Sequence, residues 1–182
     1  NDFLPDLDAI PEETARRAKF IYINYPNNPT GAVATKAFYE KLVAWAKTYE
    51  VGVVSDLAYG ALGYRGYENP SFLSTPGAKD VGIEFYTFSK TFNMAGWRLA
   101  FAAGNDQMIE ALNLIQDHLF VGIFPALQEA GIAALLDPKS EEAVAQLNAT
   151  YDSRRDAFVQ AAAKIGWQAF PSRGCLLYTS DA

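Results

Sequence analysis

The chain has 182 residues, half of them hydrophobic, and a formal net charge of −6 at pH 7. This length suffices for one sizeable core and part of a second. The acidic balance argues against nucleic acid and membrane surfaces as partners, and no apolar run reaches the roughly 20 residues that span a bilayer. A single cysteine cannot form an intrachain disulfide, so we expect a reducing, cytoplasmic location, and no His/Cys spacing suggests a metal site.

The first hundred residues predict a sheet with one long helix. An amphipathic helix is expected from Lys36 to Tyr49, capped by Thr35. Residues 99–103 should pair antiparallel to the preceding strand, because the link before them is too short for a helical crossover. Continuous apolar runs predict buried parallel strands, covered on both faces by helices, at residues 19–25, 51–55 and 82–88. The predicted fold class is therefore α/β with a mostly parallel sheet.

Helices dominate the predicted second half. The pattern indicates a helix over 106–119 and a second over 125–136, which is apolar nearly all round and should be buried. A third and longest helix should begin with a side-chain cap at Ser140 or a neighbour and run to about Ile165. Its inner face is expected to carry Leu147, Tyr151, Phe158 and Ile165. A further strand should begin at residues 167–170.

The run Thr87-Phe-Ser-Lys-Thr-Phe-Asn-Met-Ala follows the third predicted strand and places Lys90 at the edge where open α/β sheets bind ligands. A lysine amine there can bond covalently to the aldehyde of pyridoxal phosphate. The hydroxyls of Thr87 and Ser89 and the guanidinium of Arg98 suit a phosphate. An isolated strand-end lysine is ordinarily only solvated, so the interpretation depends on two further motifs.

Both of these motifs also follow predicted strands. The first, Asn-Tyr-Pro-Asn-Asn-Pro-Thr-Gly from Asn24, contains Asn28, and the second, Asp-Leu-Ala-Tyr, spans Asp56 to Tyr59. A carboxylate at a buried strand end needs a cation or donors, and a protonated pyridine nitrogen is such a cation. Parallel strands would bring Asn28, Asp56, Tyr59 and Lys90 to one edge of the sheet.

Together these motifs resemble the fold-type I pyridoxal-phosphate-dependent aminotransferases of class I/II, over residues 3–174. The resemblance implies that Lys90 bonds to pyridoxal 5'-phosphate and acts as the general base, and that Asp56 pairs with the ring nitrogen. Asn28 and Tyr59 would bond the phenolic oxygen of the cofactor. The hydroxyls of Thr87 and Ser89, with Arg98, would hold its phosphate. It also implies a cis peptide bond between Asn28 and Pro29.

The implied activity is transfer of an amino group between an L-amino acid and a 2-oxo acid by a homodimer. Residues 71–80 and 114–118 are similar to the branch that includes methionine-salvage aminotransferases, although diaminopimelate and aspartate aminotransferases share much of this frame. Phe120, Ile123 and Phe124 fall where the family can face the partner subunit's site. The lack of arginine there favours a neutral substrate over a dicarboxylate, while core packing is an equally compatible interpretation.

Family members are much longer, so the chain is expected to be a fragment. Residues 1–138 would belong to the large cofactor-binding domain, 139–165 to a connecting helix and 166–174 to the start of a small α/β domain. Residues 175–182 depart from the family pattern and are interpreted as a non-native tail. An upstream phosphate loop and the arginine for the substrate α-carboxylate would lie outside this chain, which is therefore expected to be inactive alone.

Two other functions use the same cofactor residues. A fold-type I lyase or decarboxylase would share them, because cofactor binding does not decide which substrate bond breaks. An aminotransferase-like sensing domain of a transcription regulator would share them too, with a winged-helix segment upstream.

Overall fold

The structure, a computed structural model, describes residues 3–169 and 172–175. Four strands form one sheet in chain order: β1 Phe20–Asn24, β2 Gly52–Asp56, β3 Gly82–Thr87 and β4 Ala100–Gly104. β1, β2 and β3 are parallel, and β4 pairs antiparallel with β3. The predicted sheet, including its single antiparallel strand, is confirmed.

The helices in the described part of the chain are α1 Glu12–Arg17, α2 Lys36–Tyr49, α3 Ala78–Val81, α4 Phe88–Thr91, α5 Asp106–Leu119, α6 Pro125–Leu136 and α7 Ser140–Lys164. The predicted start of α2 is confirmed, because Thr35 Oγ1 accepts a bond of 3.1 Å from Phe38 N. The predicted side-chain cap of α7 is wrong. Its N-cap residue is Lys139, which makes no such bond, and Ser140 Oγ instead donates to Ala134 O.

Helices lie on both faces of the sheet. On one face Ile23 and Val53 pack with Leu42 of α2 in the main core. On the opposite face Met108 of α5 lies against Gly52, where an added Cβ would come within 2.5 Å of Met108 Cε. Glycine at this position therefore allows α5 to approach the sheet, and the expected two-sided covering is confirmed.

The second face of β1 is not covered within the described residues. Phe20 is 49% and Tyr22 74% exposed, so the prediction that this strand is buried on both faces is wrong here. The physical reason is the position of β1 at the edge of the four-stranded sheet, whereas α5 packs mainly on β3 and β4 at the other side. Side chains alternate along a strand, so only Ile21 and Ile23 meet the core.

The predicted burial of α6 and of the end of α7 is also wrong. In α6 only Gly131 is buried, and Leu136 is 75% exposed. Along α7, Leu147 and Tyr151 are partly buried as expected, but Phe158 and Ile165 are exposed. Apolar composition alone did not determine burial, because no other described element packs across these surfaces.

The chain beyond α7 forms no strand in its described part. Trp167 is exposed, and Phe170 of the expected strand lies outside the described residues. Gly174 instead forms an isolated antiparallel bridge with Gly63. Cys175 is buried, while residues 176–182 of the expected non-native tail lie outside the described residues. The proposed domain boundaries stay predictions. Among the described helices none has the length and apolar character needed to cross a bilayer.

A buried carboxylate connects two strands to the segment after β2. Glu84 of β3 is only 5% exposed. It accepts hydrogen bonds from Ser55 Oγ at 3.0 Å, from Ser71 Oγ at 2.5 Å and from the backbone N of Phe72 at 2.8 Å. A buried charge is tolerated where donors satisfy it, as here. The network fixes the residue before Asp56 to the neighbouring strand.

We expect Glu84→Ala to lower the free energy of unfolding by about 3 kcal/mol, because it leaves buried donors unsatisfied. Glu84→Gln keeps one acceptor oxygen and should cost less. Urea unfolding followed by circular dichroism measures both, with the solvent-exposed Glu110→Ala as the matched control. A loss no larger than that of the control would contradict the role given to this network.

Candidate active site

Asn28, Tyr59 and Lys90 meet at the carboxyl-terminal edge of the parallel strands. Asn28 Nδ2 donates to Tyr59 Oη at 3.2 Å. Lys90 Nζ lies 5.7 Å from the centroid of the Tyr59 ring, within the range of a cation–π contact. Three segments that follow β1, β2 and β3 thus converge on one phenol, as the sequence predicted.

Asp56 is the last residue of β2, and its register places it beside Asn24 of β1 and Phe85 of β3. Its side chain is exposed, and its Oδ1 accepts a bond of 3.1 Å from Ala58 N. The sequence predicted a buried carboxylate that needs a cation. In the structure the strand end is open, so the carboxylate stands in an accessible position.

Thr87 and Ser89 form a pair of hydroxyls at the end of β3. Their oxygens are 3.0 Å apart, and Thr87 Oγ1 also accepts from Ser89 N at 3.2 Å, which caps the short helix α4. Thr87 Oγ1 donates in turn to Leu99 O at 3.3 Å. The neighbouring Arg98 is exposed, and its Nη1 donates to Ala95 O at 3.1 Å. Arg98 thus immediately precedes Leu99, whose backbone oxygen accepts the bond from Thr87.

Burial is the main cause that raises the pKa of Tyr59 above its ordinary value, while the hydrogen bond from Asn28 acts in the opposite direction. Tyr59 is 7% exposed. The phenol is therefore protonated at neutral pH, and a protonated phenol can donate a hydrogen bond to an oxygen of a ligand.

The side chains fit pyridoxal phosphate by their chemistry. Asp56 and Thr87 line the same cavity of about 290 Å³ at the strand ends. An open carboxylate suits a protonated ring nitrogen, paired hydroxyls suit a phosphate, and an amine suits an aldehyde. These groups stand on neighbouring strands of one rigid sheet, an arrangement that favours a fixed ligand geometry.

Asn24 is a residue whose importance the sequence analysis missed. Its Nδ2 donates to the backbone O of Asp56 at 3.0 Å, and its Oδ1 accepts from the backbone N of Asn28 at 3.0 Å. One side chain therefore fixes the backbone at two candidate site residues. Its place as the first residue of the Asn/Pro motif was the available signal, although nothing in the pattern indicates a bond to β2.

The Asn28–Pro29 peptide bond is cis, as the resemblance implied. The Tyr25–Pro26 bond is cis as well, which the sequence analysis did not anticipate.

Sequence comparison relates the whole chain to one family. The family model for aminotransferase class I and II matches residues 1–182. The chain is 55% identical over 165 residues to the L-glutamine–4-(methylsulfanyl)-2-oxobutanoate aminotransferase of Bacillus subtilis, covering 91% of this chain and 41% of that protein. It is 51% identical over 167 residues to the LL-diaminopimelate aminotransferase of Moorella thermoacetica, covering 92% and 42%.

Solved structures show the same relation. Substrate-bound BacF of Bacillus subtilis superposes with a TM-score of 0.92 at 46% identity, covering 97% of this chain and 44% of that one. An aminotransferase of Staphylococcus aureus gives 0.88 at 39% identity, covering 94% and 45%. The chain thus spans less than half the length of these relatives.

The contacts of Asn24 predict a local effect that can be measured without any ligand. Asn24→Ala should speed hydrogen exchange at the Asn28 amide by roughly tenfold, because the bond that protects this amide is lost. NMR exchange measurements on labelled protein follow this one amide. Asn113→Ala, at a solvent-exposed asparagine of α5, is the matched control. Unchanged exchange at Asn28 would show that Asn24 does not hold this backbone.

Proposed function

Since this chain belongs to the aminotransferase class I and II family, whose members depend on pyridoxal phosphate, we propose that the whole protein moves an amino group between an L-amino acid and a 2-oxo acid. The observation that carries the proposal is the contact of Asn28 and Lys90 with the Tyr59 phenol. Asp56 and Thr87 at the adjacent strand ends complete the group.

Each side chain has a proposed role toward the cofactor. Lys90 Nζ would form the covalent bond to its aldehyde carbon, and the Asp56 carboxylate would keep its ring nitrogen protonated. The Tyr59 hydroxyl and the Asn28 amide would donate to its phenolic oxygen. The phosphate of the cofactor would be bound by Thr87, Ser89 and Arg98.

The residues of this chain can then move the proton on which transfer depends. When bound, pyridoxal phosphate supplies an electron sink for charge that develops at the substrate α-carbon. Lys90 Nζ, once released by the incoming amine, is the base proposed to accept the α-carbon proton and later to donate one. Its position over the Tyr59 ring would keep this amine next to the phenol that is proposed to bond the cofactor.

A lyase or decarboxylase would use the same cofactor residues, and so would a sensing domain of a transcription regulator. The relatives that are 55% and 51% identical to this chain over the matched residues carry the name aminotransferase, which supports amino transfer as the reaction. Product analysis separates the possibilities, because an eliminating lyase releases ammonia, a decarboxylase releases carbon dioxide and a sensing domain turns over no substrate.

For the substrate we propose a neutral side chain. The oxo acid in the name of the Bacillus subtilis relative carries an uncharged thioether. In the present chain Phe120 and Phe124 are each 69% exposed in the loop between α5 and α6, which offers apolar surface and no arginine. Because other relatives are LL-diaminopimelate aminotransferases, the main alternative to a neutral substrate is diaminopimelate.

We further propose that the whole protein is a cytoplasmic homodimer. The exposed apolar side chains around the α5–α6 loop support a covered surface there, since Leu119 is 70% and Val121 86% exposed. The single cysteine supports a reducing compartment. Sedimentation of the whole protein and fractionation of cells measure the two properties, and a monomer or a secreted protein would contradict them.

The proposed reaction is tested with the whole protein, which would include the segments that its longer relatives have beyond this chain. Borohydride should fix pyridoxal phosphate to a peptide containing Lys90, and Lys90→Ala should abolish both this adduct and amino transfer. Asp56→Asn should still form the adduct but should transfer amines at least a hundredfold more slowly, because it removes the charge that pairs with the ring nitrogen of the cofactor. Lys79→Ala, at an exposed lysine, is the matched control. An adduct that persists in Lys90→Ala, or ammonia in place of a transferred amine, would contradict the proposal.

The 182-residue chain by itself is expected to transfer no amino group. It leaves β1 exposed at the edge of the sheet, and the proposed second subunit and the segments that the longer relatives have in addition would supply the rest of the site. The measurement is amino transfer from a panel of L-amino acids to 2-oxo acids by the purified chain. Turnover that disappears in Lys90→Ala would show that the additional segments are not required.

A further inference from the structure

One face of helix α7 contacts the segment that carries Tyr59. The residues that make this contact recur at i, i+1, i+4, i+5, i+8 and i+9 and so lie on one side of the helix. They are Leu147, Asn148, Tyr151, Asp152, Arg155 and Asp156. The segment they meet, residues 57–67, follows β2 and leads away from Asp56.

The apolar part of this contact reaches the cluster that contains Tyr59. Leu147 and Tyr151 pack against the small cluster that contains buried Tyr59 and Leu62. Tyr59 thus belongs to a buried cluster that lies against the helix, with Asn28 at its hydroxyl and Lys90 over its ring. A displacement of α7 relative to the sheet would move this phenol.

The polar part fixes the backbone immediately after Tyr59. Asn148 Nδ2 donates to Ala61 O at 2.6 Å, and the amide is largely enclosed. Residues 59–62 form a backbone turn, which is closed by a bond of 2.9 Å from Leu62 N to Tyr59 O. The Asn148 side chain thus bonds a carbonyl inside the turn that begins at Tyr59.

Ion pairs hold the far end of the segment. Asp152 Oδ2 accepts from the backbone N of Arg65 at 3.1 Å, and Arg65 has a left-handed backbone with φ of 52°. Arg65 Nη2 also bonds Asp156 Oδ1 at 3.1 Å. Arg155 is only 3% exposed, bonds both aspartates and lies 5.6 Å from the centroid of the Tyr64 ring. Such shared, partly buried pairs are stronger than isolated surface pairs.

We infer that α7 is a clamp that positions the Tyr59 phenol, and that Asn148 is its main positioning residue. The role of the phenol toward the cofactor rests on the proposed function. The contacts of α7 with residues 57–67 do not depend on that function. Asn148 touches neither Lys90 nor Asp56 by any bond that the structure shows, so it acts through the Ala61 carbonyl and the turn at Tyr59.

Asn148→Asp tests the clamp with little change of shape, because it replaces the donor by an oxygen that faces the Ala61 carbonyl. Gln146→Glu makes the same chemical change on the solvent side of the same helix, where the Gln146 side chain donates to exposed Glu142, and is the matched control. Asp152→Asn is a second, milder variant that keeps one acceptor oxygen and removes the charge.

The first measurement uses the whole protein without cofactor. Amide hydrogen exchange, followed by mass spectrometry, should be roughly tenfold faster over residues 57–67 in Asn148→Asp than in wild type. Exchange in α2 and β2 should stay unchanged, as should every segment of Gln146→Glu. If Asn148→Asp fails to fold, Asp152→Asn is expected to show the same local pattern with a smaller factor. Exchange no faster than in the control overturns the clamp.

The second measurement uses the cofactor-loaded protein and separates positioning from mere stability. Tyr59→Phe should shift the pH midpoint of the visible absorption change by about one unit, since it removes a donor to the cofactor oxygen. Asn148→Asp should shift this pH midpoint in the same direction. The double variant with Tyr59→Phe should show no shift beyond that of Tyr59→Phe alone, whereas the losses of thermal stability of the two single variants should add. A full additional shift in the Tyr59→Phe background overturns the positioning role. If wild type binds no cofactor, the proposed function fails, and the exchange result alone decides the clamp.

Discussion

The candidate site depends on the register of the three parallel strands. Asn24, Asp56 and Phe85 lie side by side in one row across the sheet, and Thr87 follows two residues after Phe85. Because side chains alternate along a strand, Asn24, Asp56 and Thr87 also share one face. A slip of one residue in β2 would turn Asp56 to the face that α2 covers and would remove the carboxylate from the site.

Only half of that face is filled. α5 covers the amino-terminal half, where Gly52 allows Met108 to approach, whereas Tyr22, Asp56 and the end of β3 stay open beyond it. The opposite face is closed by α2 and contains the Glu84 network behind Ser55. The sheet is thus buried and tightly bonded on one side, which makes it a rigid support for the polar groups that it presents on the other.

The sequence predicted local structure better than burial. The bounds of α2 and the Thr35 cap follow from rules that act within one turn of helix, and the three site motifs follow strands whose apolar runs are unmistakable. Burial of α6 depends on which other elements pack against it, so its apolar composition did not decide it. Asn24 and Glu84 were missed because their bonds join residues 12 to 32 positions apart, between neighbouring strands or to the segment that follows β2. No local pattern encodes such pairs.

Two candidate site residues, Asn28 and Tyr59, are each held by a polar contact that lies outside the proposed chemistry. Asn24 holds the backbone of Asn28, and α7 holds the segment of Tyr59. A single hydrogen bond of this kind contributes only about 1 kcal/mol. Loss of one contact would therefore leave the fold intact and loosen one side chain, and displacements of this size are enough to slow a positioned reaction. The arrangement makes positioning a distributed property of the sheet edges and of α7, rather than of the residues that would meet the ligand.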